Sequence, residues 1–338
     1  MMILQATLPE LEMTSTRSSR LTQRQRYFKR LNELCPFDAI EKLIRPHYFL
    51  SGQRGRQPYP LGTMIRVYIL QISYNLSDPA TEDLLSENWV VREFVGLDWG
   101  APTPDETTIL HFRHLIEKHH LGEKIFGLIN AVLQKQGLLI KRGVVIDATF
   151  IDSPQSTKNK DQKRDPEMGQ GRKGLVWHQG MKAHIAVDKD TGLVTKVVAG
   201  PANEHDLSRA RDVLSGDEKV VYGDSGYIGI EKRDEIKTED SFKDTDWQIA
   251  QRPSSLTKKA KGDEAKRELL RQVEHAKSSI RCKVEWIFKR MKLDFGFNKT
   301  RYRGIEKNLN RIMSILALAN LLTADCYQRR VMAELSPQ

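Results

Sequence analysis

The period of the apolar residues changes after Gly137, and that change limits the folds open to this chain. From Leu21 to about Gly137, apolar side chains recur at three and four in LTQRQRYFKRLNEL, LGTMIRVYILQISYNL, TEDLLSENWVVREFVGL and TILHFRHLIEKHHLGEKIFGLINAVLQKQG, the spacing of amphipathic helices. After Gly137 the runs shorten. GVVIDATFI, MKAHIAVD and LVTKVVAG read as three strands in succession, with DKDTG as the turn between the last two. LSRARDVL then reads as helix, VVYGDSGY as strand, EKRDEIK as helix and WQIAQRP as strand, and long helices finish the chain. The order β-β-β-α-β-α-β-α predicts a five-stranded mixed sheet, an antiparallel meander extended by parallel strands through right-handed helical crossovers. The expectation is an all-helical N-terminal domain followed by an α/β (mixed) domain, a division that 338 residues accommodate.

Smaller signals refine this plan. In TPDE, Thr103 can cap a helix, Pro104 suits its first turn and Glu106 completes a capping box. The helix that follows carries His111, Arg113 and His114. With TEDLLSENWVVREFVGL before it, it reads either as a DNA-reading helix-turn-helix pair or as bundle packing with Ile109, Leu110, Phe112 and Leu115 inside. Residues 152–176 are polar and Gly-rich, a candidate substrate loop with Lys158, Lys160, Lys163, Arg164, Arg172 and Lys173 as phosphate contacts. Residues 253–275, rich in Lys and Glu, read as a helical insert facing solvent, and residues 1–16 as a flexible N-terminus.

The formal net charge is +10, and it is clustered: residues 14–30 hold six basic side chains and no acid, and residues 276–311 hold eleven basic against three acidic. Such runs suit a polyanion, since each neutralised phosphate releases condensed counterions, although a solvated charged surface is the plainer reading of either run alone. No stretch approaches the roughly 18 to 20 apolar residues of a membrane span, and no secretory signal is visible. Cys35, Cys282 and Cys326 form neither a CxxC pair nor a zinc spacing. Double-stranded DNA in the cytoplasm, rather than a membrane or a small-molecule substrate, is the expected partner.

Three carboxylates stand in settings that suit metal-ion chemistry. Asp147 ends the apolar run Val144, Val145, Ile146, on a mostly buried strand where a lone charge is costly and needs a metal or a cation; a cap or salt bridge is the structural alternative. Alternation puts the competing Asp152 on the opposite face. Asp224 follows Val220, Val221, Tyr222 and Gly223 at the carboxyl end of a parallel strand, where open sheets bind ligands, though an Asp before Ser-Gly can also be only a turn residue. Glu285 sits mid-helix in SIRCKVEWIFKRMK, where Ile280, Val284, Ile287 and Met291 make the core stripe and Arg281, Glu285, Lys289 and Lys292 the next face. A basic face around one acid suits phosphate held beside a metal ligand; an exposed helix with i, i+4 pairs is the plainer reading. Three such acids can hold two Mg²⁺, for which Mn²⁺ substitutes, about 3.5 to 4 Å apart for in-line displacement at phosphorus. Among nearby histidines, His178 can assist, His184 alternates within a strand and reads as structural, and His205 in NEHD reads as orienting substrate or water. Trp286, beside the Glu, reads first as a core residue and second as a platform for a displaced base.

The blocks VVIDATFIDSPQSTKNK, RDPEMGQGRKG, WHQGMKAHIAVD, ANEHDL and GDSGYIG resemble the catalytic domain of the DDE transposases of bacterial insertion sequences, in particular the insertion sequence five family. GRQPYPLGTMIRVYILQISYNLSD and TTILHFRHLIE resemble that family's helical N-terminal domain. The resemblance implies an RNase H-like fold with Asp147, Asp224 and Glu285 as the catalytic metal ligands. The related signature Tyr-x2-Arg-x3-Glu-x6-Lys matches at Arg281, Glu285 and Lys292, with Ser278 in place of its Tyr. Implied too is a DNA-binding or dimerisation domain over residues 17–138, a catalytic domain over 139–327 and a tail at 328–338. The implied activity is binding of terminal inverted repeats, metal-dependent strand cleavage and strand transfer into target DNA, by a homodimer that pairs two ends at the bacterial nucleoid. An RNase H-like nuclease that does not join strands and a non-catalytic DNA-binding repressor are the alternatives.

Overall fold

The computed structural model describes residues 20–49, 57–140, 142–158 and 162–335. The expected flexible segment 1–16 and Lys160 lie outside the described residues, as does the side chain of Lys173. The helical period is realised as α1 (Gln23–Leu34), α2 (Phe37–Ile44), α3 (Leu61–Ser73), α4 (Asp78–Glu87), α5 (Trp89–Val95), α6 (Glu106–Lys118) and α7 (Leu121–Lys135). Helix α3 is buried along its whole length except at Gly62 and Arg66, so the others pack around it. The single run expected over TEDLLSENWVVREFVGL is broken at Asn88, whose side chain accepts from Val91 N and restarts the chain as α5. The start of α6 differs as well: its cap is Asp105, accepting from Thr108 N at 2.7 Å, two residues beyond the expected Thr103.

The strands are β1 (Gly143–Asp152), β2 (Gly169–Lys173), β3 (Val176–Asp188), β4 (Val194–Pro201), β5 (Val220–Gly223) and β6 (Asp246–Ile249). Antiparallel pairing joins β1 to β3 and β3 to β4, and parallel pairing joins β1 to β5 and β5 to β6. The sheet is therefore the expected antiparallel meander extended by parallel strands. The sheet has six strands rather than the expected five. The additional one, β2, comes from the polar loop; its sequence Gly-Gln-Gly-Arg-Lys has no apolar alternation, so ladder hydrogen bonds to β3 hold it rather than side-chain burial. Its glycines are required by close approach, since a Cβ on Gly171 would stand 2.3 Å from the Ala202 carbonyl oxygen and 2.6 Å from the Phe150 ring.

Short helices α8 (Ala210–Val213) and α9 (Asp234–Lys237) lie in the crossovers. After β6 come α10 (Pro253–Ala260), α11 (Glu264–Lys289), a π turn over Arg290–Asp294 and α12 (Ile305–Leu335). The expected insert at 253–275 is helical with mostly exposed side chains, but its second half is the same unbroken helix that carries Glu285. Helix α12 likewise continues through residues 328–335, expected as tail.

Strand alternation divides the sheet into two faces. Val144, Ile146, Ala186 and Val221 pack with Val213, Tyr227, Ile236 and Phe242 on one. Val145, Ile151, Ala183, Ile185 and Val187 pack on the other against Val284, Ile287 and Met291 of α11, in a core continuous with the N-terminal helices. Helices and sheet therefore share one interior. A buried polar clasp holds the β4 edge to them: the Asn320 amide accepts from Val194 N at 2.8 Å and donates to Val194 O at 2.8 Å and to Asn130 Oδ1 at 2.7 Å. Covering an edge strand in this way removes a pairing surface for other chains. Among the described residues, no helix is long and apolar enough to cross a membrane.

Candidate active site

Asp147 lies in the middle of β1, on the face shared with Val145 and Ile151. Parallel pairing of Val145 with Tyr222 sets β5 beside it, and two residues past Tyr222 comes Asp224, on the same side of the sheet. Strand β5 stops there because Asp224 caps a short turn over Ser225–Tyr227, its Oδ1 accepting from Gly226 N at 2.8 Å. Asp224 is thus both a turn residue and a neighbour of Asp147; the two readings coexist. Burial pushes the Asp147 carboxyl up to about 6. The Ala148 N–H, donating at 2.7 Å, and the Arg281 charge pull it down, while Asp224 and Asp206 push it further up.

The acid at the NEHD run that matters to this field is therefore Asp206, which sequence reasoning passed over in favour of His205. Asp206 accepts from Lys182 Nζ at 2.9 Å and stands 3.9 Å from His184 Nδ1. His184 is buried, with both ring nitrogens unpartnered among the described residues, and burial lowers its pKa to about 4, so the ring is neutral at neutral pH. Tyr227, buried beneath the acids, has its phenol raised well above 10 by burial and then by the charges of Asp206, Asp147 and Asp224. The neutral ring lies beside Asp206 and the protonated phenol feels all three acids, and neither supplies a countercharge.

Glu285, the third carboxylate of the expected set, stands apart from the pair's buried surroundings. It is exposed on α11, one turn beyond Arg281, and among the described residues no group of three His, Cys, Asp or Glu side chains is gathered closely enough to hold a metal ion. What reaches the Asp147 field from α11 is the Arg281 charge. The Arg281 Nε is buried and has no hydrogen-bond partner among the described residues. A third carboxylate beside two that already repel needs a cation between them. Ser278 is exposed. Lys289 is exposed, its Nζ lying 5.3 Å from the centroid of the Trp286 ring, and Trp286 is 51 % exposed rather than in the core. The helix does not stay regular to Lys292: the π turn begins at Arg290, and Lys292 is half-buried within it.

The other expected DNA contacts divide in two. Lys158, Lys163, Arg164 and Arg172 are exposed along the loop after β1, and His205 is exposed beside Asp206. That loop is tethered, because Asp165 accepts from Gly304 N at 2.6 Å and Glu167 from Ile305 N at 2.8 Å, capping α12 with the two acids of RDPEM. Arg113, by contrast, points inward. It donates to Asp78 at 2.9 Å and to Glu117 at 2.6 Å and lies 4.5 Å from the Tyr302 ring centroid, so its guanidinium is occupied by the bundle and α6 follows the packing alternative. His178 is likewise engaged, stacked on Phe150 and bonded to Asp152 at 2.8 Å. Past Ser225 and Gly226 the surface opens into a cleft of about 840 Å³ that reaches His205 and Arg172.

The family comparison supplies the class, a nucleotidyl-transferase type of enzyme. The family described as "Transposase DDE domain" matches residues 139–321, more than half the chain, and "Transposase domain (DUF772)" matches residues 16–115. The chain belongs to the DDE transposases. It is also similar, at 10 % identity, to the solved "Mos1 transposase paired-end complex with left transposon end", with 89 % of this chain and 95 % of that one covered at a TM-score of 0.20. For the "Crystal structure of the Mos1 Strand Transfer Complex" the identity is 10 %, the coverage 84 % and 100 %, and the TM-score 0.18. Similarity this loose assigns no residue a role.

Proposed function

We propose that the chain is the transposase of an insertion sequence of the insertion sequence five family. It binds the element's terminal inverted repeats, cleaves a strand at each end and joins the freed 3′-hydroxyls to target DNA. The observation that carries this reading is the acid pair: Asp147, half-buried and raised to about 6, beside Asp224 and next to the protonated Tyr227 phenol. Two carboxylates that repel one another fit a divalent cation between them, and an all-oxygen donor set suits Mg²⁺ or Mn²⁺. Asp147 and Asp224 would hold such ions, with Glu285 completing the set from α11. When bound there, two divalent ions supply activation of the attacking oxygen and neutralisation of the leaving one.

The chain's own groups do the rest. Arg281 beside the pair, and Lys289 and Lys292 further along the α11 segment, hold the phosphodiester, the guanidinium by paired hydrogen bonds and the ammoniums as point charges. Lys158, Lys163, Arg164 and Arg172 extend that contact along the tethered loop. In the first step water adds to phosphorus and the bond to the 3′-oxygen breaks, leaving a 3′-hydroxyl and a 5′-phosphate. In the second that hydroxyl attacks a target phosphodiester and displaces its 3′-oxygen, so the number of phosphodiester bonds is conserved. Both steps are in-line displacements, and the acids serve both. A homodimer, pairing the two ends at the nucleoid, is part of the proposal.

The test is a gel assay with DNA carrying the element's ends, a target plasmid and Mg²⁺. Cleaved ends and joined products are expected from the wild type, and neither from Asp147→Asn, which retains end binding. Cleavage without joining marks a nuclease; binding without Mg²⁺-dependent cutting marks a repressor; undiminished cutting by Asp147→Asn removes the acid pair from the mechanism.

A further inference from the structure

The cleft beyond Asp224 has features that the acid pair does not use. It starts on the sheet face opposite Asp147, at Phe150 and Lys182, passes Ser225 and Gly226 directly after Asp224, and ends at the first turn of α10. The Phe150 ring is enclosed, stacked on His178 at 4.8 Å with Lys182 Nζ 4.9 Å from its centroid, so it offers no face for a base. The acids in the cleft are already compensated: Asp206 by Lys182 at 2.9 Å and Glu204 by Arg209 at 2.8 Å. Two further cations in the lining, Arg252 and Lys258, are exposed and form no ion pair among the described residues. Between them and Asp224 the lining offers the hydroxyls of Ser225, Ser254 and Ser255. A cleft with no free aromatic face, free cations at its far end and hydroxyls along its length matches the sugar-phosphate backbone of a nucleic acid rather than its bases.

The placement says which backbone. On one side of the acid pair stands α11 with Arg281; on the other, across the Ser225–Gly226 turn, stands this cleft. We propose that the cleft binds the phosphodiester backbone of the DNA flanking the cut, on the side away from α11, with Arg252 and Lys258 as its phosphate contacts. This inference rests on the transposase reading of the acid pair.

The test compares two duplexes: one carrying an element end with flanking DNA beyond the cleavage point, and one trimmed at that point. Full-length wild type and Arg252→Glu/Lys258→Glu are titrated with both over a range of salt. Wild type is expected to prefer the flanked duplex by about tenfold, with a salt slope steeper by about two, one for each phosphate contact. The double variant is expected to lose that preference and that extra slope. A preference that survives the charge reversal overturns the inference, as does equal affinity of the wild type for the two duplexes. Asp147→Asn serves as the control: it keeps the preference for the flank while cutting neither duplex, so a failure of the cleft and a failure of the acid pair give different results. Thermal melts of the double variant matching the wild type show that the reversal acts on binding and not on folding.

Discussion

Asp147 concentrates a conflict between burial and charge. Its pKa is raised by burial from 3.8 to about 6, so the folded chain binds this proton more tightly than the unfolded chain does. The linked stability is fully present below pH 3.8 and is lost as pH rises through about 6, leaving a cost of up to about 3 kcal/mol at neutral pH. Asp147→Asn is therefore expected to melt at a higher temperature than wild type at pH 8 and to show a flatter pH dependence of stability between pH 4 and 7, both readable by thermal melts. Glu285→Gln, at an exposed position, is expected to change stability by less than about 0.5 kcal/mol while abolishing strand cleavage, a split that a purely solvated glutamate would not give. At this scale Asp147 was legible because an Asp closing Val-Val-Ile has no cheap place to be. Asp206 was not, because its bearing on Asp147 arises only when the turn after β4 folds back over the sheet. For Arg113, the Glu117 partner stood at i+4 and was readable; Asp78, thirty-five positions away, was not.

The helical elements and the five strands with apolar runs were readable from period alone, and what escaped was held by something other than period. Strand β2 has no alternation, and its one local cue was Gly174, at φ +60°, in the turn to β3. Replacing Gly171 by Ala puts a methyl against the Ala202 carbonyl and the Phe150 ring, an overpacking expected to cost about 1 to 3 kcal/mol, measurable as a lower denaturant midpoint. The α12 clasp on β4 escaped for a similar reason, because an Asn within an apolar helix face shows its purpose only when the strand edge it serves is known. Asn320→Ala leaves the Val194 N–H and carbonyl without that partner in a buried setting and is expected to destabilise the protein by about 2 to 4 kcal/mol, seen in chemical denaturation with an unchanged m-value. The π turn at Arg290–Asp294 also lay beyond a regular-helix reading. It shifts Lys292 from the position that continuous α geometry gives it.

Across the whole molecule, one core joins the N-terminal helices to the sheet that carries Asp147 and leads into Asp224. In the proposed reading the excess of positive charge, +10 over 338 residues, faces the same DNA as the acids, which are negative. The proposed transposase resolves this opposition by letting the basic surface bring DNA in and the acid pair bring the ions that act on it. The measurement that tests this most directly is uptake of Mn²⁺ by the protein bound to DNA carrying the element's ends, followed by the loss of the free-ion signal in electron paramagnetic resonance. Wild type is expected to take up about two ions per active site, and Asp147→Asn to lose that uptake while remaining bound to the DNA. An Asp147→Asn complex that takes up as many ions as wild type would contradict the account.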